Sequence, residues 1–236
     1  MEAVLLEKKY TKGQVIEGLY AYFSGYNQYL TKNEKTASIF PEHSKAPKSF
    51  SAKIKKLLDL DRAQNKGDYI FFDQEGVGQG GLEYFNDYQV VLIGFAVDSL
   101  HKGFKQSEVL WVTKRVKERM WDSFLMVYRD KQKLIKEHGA SCYKDDLYST
   151  ARFYRDKLDT FIYLIINNFE ISSPETHEDL RRIRYEFLHT TNLNHLLARL
   201  DQSTSCVIFD FVNLSLVAPQ IVQETPIPQR GRPSKG

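Results

Sequence analysis

The sequence predicts a mainly α-helical protein with a small β-hairpin, arranged as a winged helix-turn-helix followed by a long helix and a helical C-terminal region. Three observations predict this class. Apolar residues recur at helical spacing through most segments, one short run of aromatic and β-branched residues is typical of a strand, and no pattern repeats along the 236 residues. With 42% hydrophobic and 27% charged residues, the composition is that of an ordinary soluble protein.

The first two predicted helices lie on either side of a polar loop. Apolar spacing predicts a helix from Lys12 to Leu30, and Thr11 is placed to cap it. The second helix is predicted from Ser49 or Ser51 to about Leu60. Its apolar positions share one face: Phe50, Ile54, Leu57 and Leu58. Lysines crowd the opposite side: Lys48, Lys53, Lys55 and Lys56.

A β-hairpin is predicted after the second helix. Tyr69 to Phe72 is expected to form one strand, and Leu82 to Phe85, which alternates apolar with polar residues, is expected to form the other. The glycine-rich segment Gly76 to Gly81 would be the loop between them. This hairpin would be the wing beside the lysine-rich helix.

Two further helices follow the hairpin. The first is predicted from Tyr88 to about His101, capped by Asn86 or Asp87 and ended by Gly103. The second, from Glu108 to roughly Glu137 with Ser107 as its cap, would be the longest. An apolar stripe along it predicts self-association, through Val109, Val112, Val116, Met120 and Val127.

The rest of the chain is predicted to be helical and to end in a tail. Helices are expected at Asp145 to Asn168 and at Pro174 to about Leu200, whereas Cys206 to Val212 fits either a strand or a buried helix. From Pro219 the polar, Pro-rich and Gly-rich composition indicates a disordered tail. The predicted units are a winged-helix-like DNA-binding domain (1–104), a connecting and dimerisation helix (105–138), a helical C-terminal domain (139–218) and a basic tail (219–236).

The sequence offers little for catalysis or metal binding. Cys142 and Cys206 have no CxxC neighbour. Glu186 and His189 form a single ExxH pair, whereas a di-iron site needs two. Gly76 to Gly81 match GxGxxG, but no second parallel strand follows, so a nucleotide-binding enzyme is the weakest alternative. We expect a non-enzymatic protein with no cofactor and no metal.

The lysine-rich helix is the first indication of DNA binding. Lys48, Lys53, Lys55 and Lys56, with Arg62 after them, provide cations that neutralise phosphates, and a helix with one apolar and one cationic face suits a DNA-binding helix. The same pattern also fits a helix whose lysines are simply hydrated.

The order of elements resembles that of MerR-type winged-helix regulators. The residues concerned are Thr11 to Val15, the basic helix, Gly81 to Tyr84, and Leu100 to Phe104 before the long helix. The resemblance covers about the first 138 residues and implies DNA binding and an antiparallel coiled-coil dimer formed by the long helix. The chain departs from the family pattern at two places. Glu83 stands where the family usually has a groove-contacting arginine or a neighbour of one, and the loop from Thr31 to Lys48 resembles an insertion.

The tail resembles an AT-hook. Arg230, Gly231, Arg232 and Pro233, followed by Lys235, match the extended Arg-Gly-Arg-Pro core that lies in the minor groove of A·T-rich DNA. Glycine lets the backbone lie deep in the groove, and arginine is attracted by the negative potential of a narrow groove. A basic tail that only adds solubility is the alternative.

We therefore expect a homodimeric transcriptional regulator that binds double-stranded DNA through the basic helix, the wing and the tail. A protein–protein interaction module that uses the aromatic-rich C-terminal part is the alternative from another class. The beginning of the chain lacks the pattern of a secretory signal, and its apolar runs are too short to span a membrane. We therefore expect a cytoplasmic protein without membrane contact, associated with the nucleoid if it is bacterial.

Overall fold

Five helices form most of the structure. It is a computed structural model that describes residues 7, 9–29, 45–72, 83–138, 161–168, 183–190, 198, 205–209 and 211–227. The prediction of a mainly helical protein is confirmed for this part of the chain. The helices are α1 (Lys12–Tyr29), α2 (Lys48–Gln64), α3 (Asp87–His101), α4 (Gln106–His138) and α5 (Phe211–Glu224).

Two small antiparallel sheets accompany the helices. The first pairs β1 (Tyr10–Thr11) with β2 (Tyr84–Phe85). The second has three strands in the order β4-β3-β5, namely β3 (Phe161–Asn168), β4 (Ile183–Thr190) and β5 (Ser205–Ile208). The C-terminal region is therefore not purely helical.

The predicted hairpin has the wrong first strand. Tyr84 in β2 lies opposite Thr11, and Phe85 lies opposite Tyr10, so the partner of β2 comes from the beginning of the chain. The segment from 69 to 72 forms no strand. Its backbone N–H groups at Ile70 and Phe71 donate instead to a buried carboxylate at the end of α2.

The two helices predicted between Asp145 and Leu200 are wrong at 161–168 and at 183–190. The backbone is extended at 161–168 and at 183–190, and all eight residues of β3 pair with β4. The physical reason is the density of isoleucine, tyrosine and phenylalanine, which suit a paired strand better than a helix. An ExxH site needs helical spacing, and the extended backbone at 186–189 does not provide it.

Local capping was largely predicted. Thr11 Oγ1 accepts a hydrogen bond from the backbone N–H of Gln14, and Asn86 forms the same arrangement with Gln89 at the start of α3. Gly103 ends α3 with a φ of +93°, a conformation that suits glycine. Ser107 is not a cap, because α4 already begins at Gln106.

α5 lies at the centre of the core. It packs on α1, α3 and α4 and buries apolar side chains along most of its length. The predicted tail therefore begins too early: Pro219 lies inside this helix, and Ile221 and Val222 beyond it are buried. A proline in a helix removes one backbone hydrogen bond, and burial of these side chains offsets that loss.

The apolar stripe of α4 is buried within its own chain. The five residues on which self-association was predicted are at most 5% exposed: Val109, Val112, Val116, Met120 and Val127. Their face of the helix packs towards α3 and α5. This stripe is thus not available to a second copy.

Candidate nucleic-acid interface

α2 divides into an apolar face and a cationic face, as its spacing predicted. Phe50, Ile54, Leu57 and Leu58 are buried. The ring of Phe50 contacts those of Tyr20 and Phe23 in α1, with centroids 5.4 and 6.4 Å apart. This packing fixes which side of α2 faces outward.

The outward side of α2 is what we call the lysine face, namely Lys48, Lys53, Lys55 and Lys56. All four side chains are exposed. Among the residues that the structure describes, none of the four forms an ion pair. From the first to the last of them, the helix rises about 12 Å. The face therefore presents several uncompensated positive charges along two turns.

Asp61 is close to the lysines in sequence, but its carboxylate is not on the exposed surface of α2 and does not offset their positive charge there. Its side chain is fully buried on the opposite side of α2. Its carboxylate accepts hydrogen bonds from the backbone N–H groups of Ile70 and Phe71, each at 2.9 Å, and from the amide of Asn65 at 2.9 Å. Asp61 thus holds the chain that returns after α2. Asp59 is the exposed acid of this helix.

Arg62 belongs to an internal ion network rather than to the lysine face. Its guanidinium pairs with Glu83 and with Asp59, and it lies 4.4 Å from the ring centroid of Phe72. Lys12 approaches the same Glu83 carboxylate at 3.0 Å. Burial lowers the pKa of Lys12, and the nearby charge of Arg62 lowers it further. Glu83, which departs from the MerR-type pattern, has a structural role here.

A second ion network ties the turn after α2 to α4. Asp68 accepts from Lys117 at 2.7 Å and pairs with Lys114 at 3.1 Å. Hydrogen bonds from these two lysines hold the pKa of Asp68 below its usual value. Lys114 also donates to the side chain of Asn65 at 2.9 Å. Lys114 and Lys117 of α4 therefore hold the turn, and with it the C-terminal end of α2, in place.

The N-terminal end of α2 is held by α1. Pro47 is the residue before the helix and makes no side-chain capping bond. The carboxylate of Glu17 accepts a hydrogen bond from the backbone N–H of Ala46 at 2.6 Å. Lys45, just before this point, is exposed.

His101 lies beside the lysine face and was not singled out in the sequence. Its ring meets those of Phe23 and Phe50 at centroid distances of 5.3 and 6.2 Å. Burial lowers the pKa of His101, and the charge of Lys53 lowers it further, while Asp98 acts in the opposite direction. Its place as the last residue of α3 gave no signal that it would meet α2.

The remaining predicted site residues lie outside the described residues. They are the tail residues Arg230, Gly231, Arg232, Pro233 and Lys235, and the glycine loop from 76 to 81. Within the described residues, no group of histidine, cysteine and carboxylate side chains is arranged to hold a metal ion. None of the helices in the described part of the chain is long and apolar enough to cross a membrane.

Comparison of the chain with known protein families, with curated proteins and with solved structures gave no match. The function is therefore inferred from the chemistry of the surface itself.

Proposed function

We propose that this protein binds double-stranded DNA through the lysine face of α2 and acts as a non-enzymatic transcriptional regulator. The observation that carries the proposal is the set of four exposed lysines that form no ion pair among the described residues. Such cations release counterions from DNA when they neutralise its phosphates, which is the main source of affinity for duplex DNA.

The rigidity of α2 supports this proposal. The helix is packed against α1 along its apolar face, and both of its ends are held, by Glu17 near Ala46 and by Asp61 near Ile70. A fixed helix presents its charges without a large ordering cost on binding. The lysines can therefore act together on one DNA backbone or groove edge.

Arg62 is not part of the proposed interface, because Glu83 and Asp59 already neutralise it. The tail residues 230–235 are proposed as a second contact with A·T-rich minor grooves, because their Arg-Gly-Arg-Pro order is suited to that groove. A short sequence tethered to the main site adds affinity through its high effective concentration, even if it binds weakly alone.

The test is the salt dependence of binding to a labelled duplex, measured by fluorescence anisotropy. Replacing Lys53, Lys55 and Lys56 with alanine is expected to weaken binding and to reduce the slope of log K against log salt by about 3, roughly 1 for each lost phosphate contact. A matched triple variant removes three exposed lysines outside α2: Lys105, Lys133 and Lys136.

The control variant has the same net charge and is expected to keep the wild-type slope. Equal slopes for the two triple variants would show that only net charge matters and that the lysine face is not the DNA-binding surface. A wild-type protein that fails to bind duplex DNA at low salt would overturn the proposal altogether.

A further inference from the structure

His101, the last residue of α3, is an exposed side chain at the place where three helices meet. Its ring lies 5.3 Å from that of Phe23 in α1, nearly at a right angle, and 6.2 Å from that of Phe50 in α2. The two phenylalanine rings also contact each other. The imidazole is therefore held in a fixed place, although part of it faces the solvent.

The contact with Phe50 brings His101 next to the lysine face. Lys53 follows Phe50 by three residues, and residues three apart are neighbours on the surface of a helix. Burial lowers the pKa of His101, and the charge of Lys53 lowers it further, so the ammonium group is close enough to act on the imidazole. A histidine of α3 and a lysine of α2 thus lie side by side.

Neither His101 nor Lys53 has a counter-ion among the residues that the structure describes. The imidazole makes no hydrogen bond and no ion pair there, and Lys53 makes no ion pair. Asp98, one turn before His101, has its carboxylate paired with Lys102. The charged groups that act on His101 are thus Lys53 from α2 and this Asp98–Lys102 pair from α3, while α1 faces it with the ring of Phe23.

An anion between Lys53 and His101 would satisfy both side chains at once. The phosphate groups of duplex DNA have the matching chemistry, because their free oxygens accept charge-assisted hydrogen bonds from an ammonium and from an imidazolium. Two adjacent cations repel each other, which keeps the imidazole neutral in the free protein. A bound phosphate reverses this balance and favours the protonated ring.

We propose that Lys53 and His101 together bind one phosphate of the DNA backbone, and that His101 takes up a proton from the solvent when it does so. This inference rests on the proposed function, since the phosphate belongs to DNA bound at the lysine face. It extends the contact surface from α2 to the end of α3. It also makes the affinity for DNA depend on pH.

The direction of the pH dependence follows from the two states of His101. In the free protein, burial and the charge of Lys53 hold its pKa below 6.5. A phosphate within about 4–6 Å raises the pKa of a cationic group by roughly 1 or more. The complex therefore binds more protons than the free protein, and affinity rises as the pH falls. We expect binding about fivefold tighter at pH 5.5 than at pH 7.5.

The test measures binding to a labelled duplex by fluorescence anisotropy at pH 5.5 and 7.5 and constant ionic strength, with circular dichroism to verify the fold at both. His101→Gln keeps a polar side chain that takes up no proton, and it is expected to lose the gain at pH 5.5. His138→Gln is the matched control. It removes a histidine from the last position of α4, about 48 Å from the start of that helix, and is expected to keep the gain.

A second variant tests the same phosphate contact at pH 7.5 alone. His101→Lys places a permanent positive charge beside Lys53. It is expected to bind about fivefold more tightly than the wild type and to increase the slope of log K against log salt by about 1, which corresponds to one more phosphate contact. His138→Lys adds the same charge at the far end of α4 and is expected to bind as the wild type does.

Two results would overturn the inference: a His101→Gln protein with the pH response of the wild type, or a His101→Lys protein that binds no more tightly than His138→Lys. Either result leaves the proposed function in place if the triple lysine variant of α2 still weakens binding and reduces the salt slope. A wild type that does not bind duplex DNA at low salt would overturn both.

Discussion

Gly18 in α1 lies so close to Val222 in α5 that a Cβ atom added at position 18 would be 2.6 Å from Cγ2 and 2.7 Å from Cα of the valine. The contact includes backbone, which cannot move aside as a side chain does. Close approach of the two helices therefore requires the absence of a side chain at position 18.

Gly18→Ala is expected to lower the free energy of unfolding by about 1–3 kcal/mol, the usual cost of overpacking. Gly94→Ala is the matched control, because its added Cβ would meet a methyl group of Leu214 at 2.7 Å, the movable end of a side chain. The gain of about 1 kcal/mol in helix propensity applies at both positions, and at Gly94 it offsets much of the smaller packing cost. Urea denaturation measures both. A Gly18→Ala protein as stable as Gly94→Ala would contradict this packing argument.

Asp61→Ala is expected to destabilise the protein by about 2–4 kcal/mol, because the backbone N–H groups of Ile70 and Phe71 would lose their acceptor in a buried place. Asp61→Asn keeps one acceptor oxygen and should cost less. Both are measured by urea denaturation. Where the variants remain folded, the salt slope of DNA binding should not change, since Asp61 lies away from the lysine face; a changed slope would place it in the interface.

His101 is expected to make stability depend on pH. Its pKa is lowered in the folded protein, so the unfolded chain binds more protons between the folded pKa and the ordinary value of 6.5. The contribution of neutral His101 to the free energy of unfolding is fully present above pH 6.5, and it declines as the pH falls through the folded pKa. His101→Phe keeps a ring beside Phe23 and Phe50 without a titrating group. The melting temperatures of the wild type and of His101→Phe should differ more at pH 5 than at pH 7.5. A difference that does not change with pH would exclude His101 as the cause of the pH dependence.

Removal of residues 228–236 is expected to reduce affinity for A·T-rich duplexes more than for G·C-rich duplexes and to leave the melting temperature unchanged. Arg232→Ala should reproduce most of the loss, since arginine is favoured in narrow grooves. An equal loss for both duplexes would reduce the tail to a nonspecific charge.

Truncation before Thr225 should have a different effect, because this residue is part of the fold. Its backbone carbonyl accepts a hydrogen bond from the side chain of Gln14 at 3.2 Å, and its hydroxyl donates to the carbonyl of Ile221 at 2.7 Å. A chain that ends at Pro219 is expected to unfold at a lower temperature than one that ends at Ile227, as circular dichroism would show.

Features that depend on neighbouring residues were predictable from the sequence. The apolar face of α2 follows from a period of 3.6 residues, and the same period places Lys53 and Lys56 outward. The cap at Asn86 and the end of α3 at Gly103 depend on residues within one turn. Each of these is decided locally, so the sequence around it is sufficient.

Features that depend on distant partners were not predictable. β2 pairs with β1 across a long separation in sequence, and neither strand exceeds two residues. Asp61 and Arg62 differ little in pattern from the charges around them. Asp61 nevertheless accepts from the backbone of Ile70, and Arg62 pairs with Glu83, so neither belongs to the lysine face. The helical prediction for 161–168 and 183–190 failed for a different reason, since the isoleucine, tyrosine and phenylalanine of these two segments favour a strand over a helix.

The central position of α5 affects how the chain acquires its structure during synthesis. Gln14 and Thr225, which are bonded in the core, are 211 positions apart. At a translation rate of roughly 5–20 residues per second, α5 leaves the ribosome on the order of ten seconds or more after α1. Until then, the apolar sides of α1 and α3 lack the helix that covers them. During that interval they are exposed to aggregation and to chaperones, so a nascent chain arrested before Phe211 should be a chaperone substrate, not a folded domain.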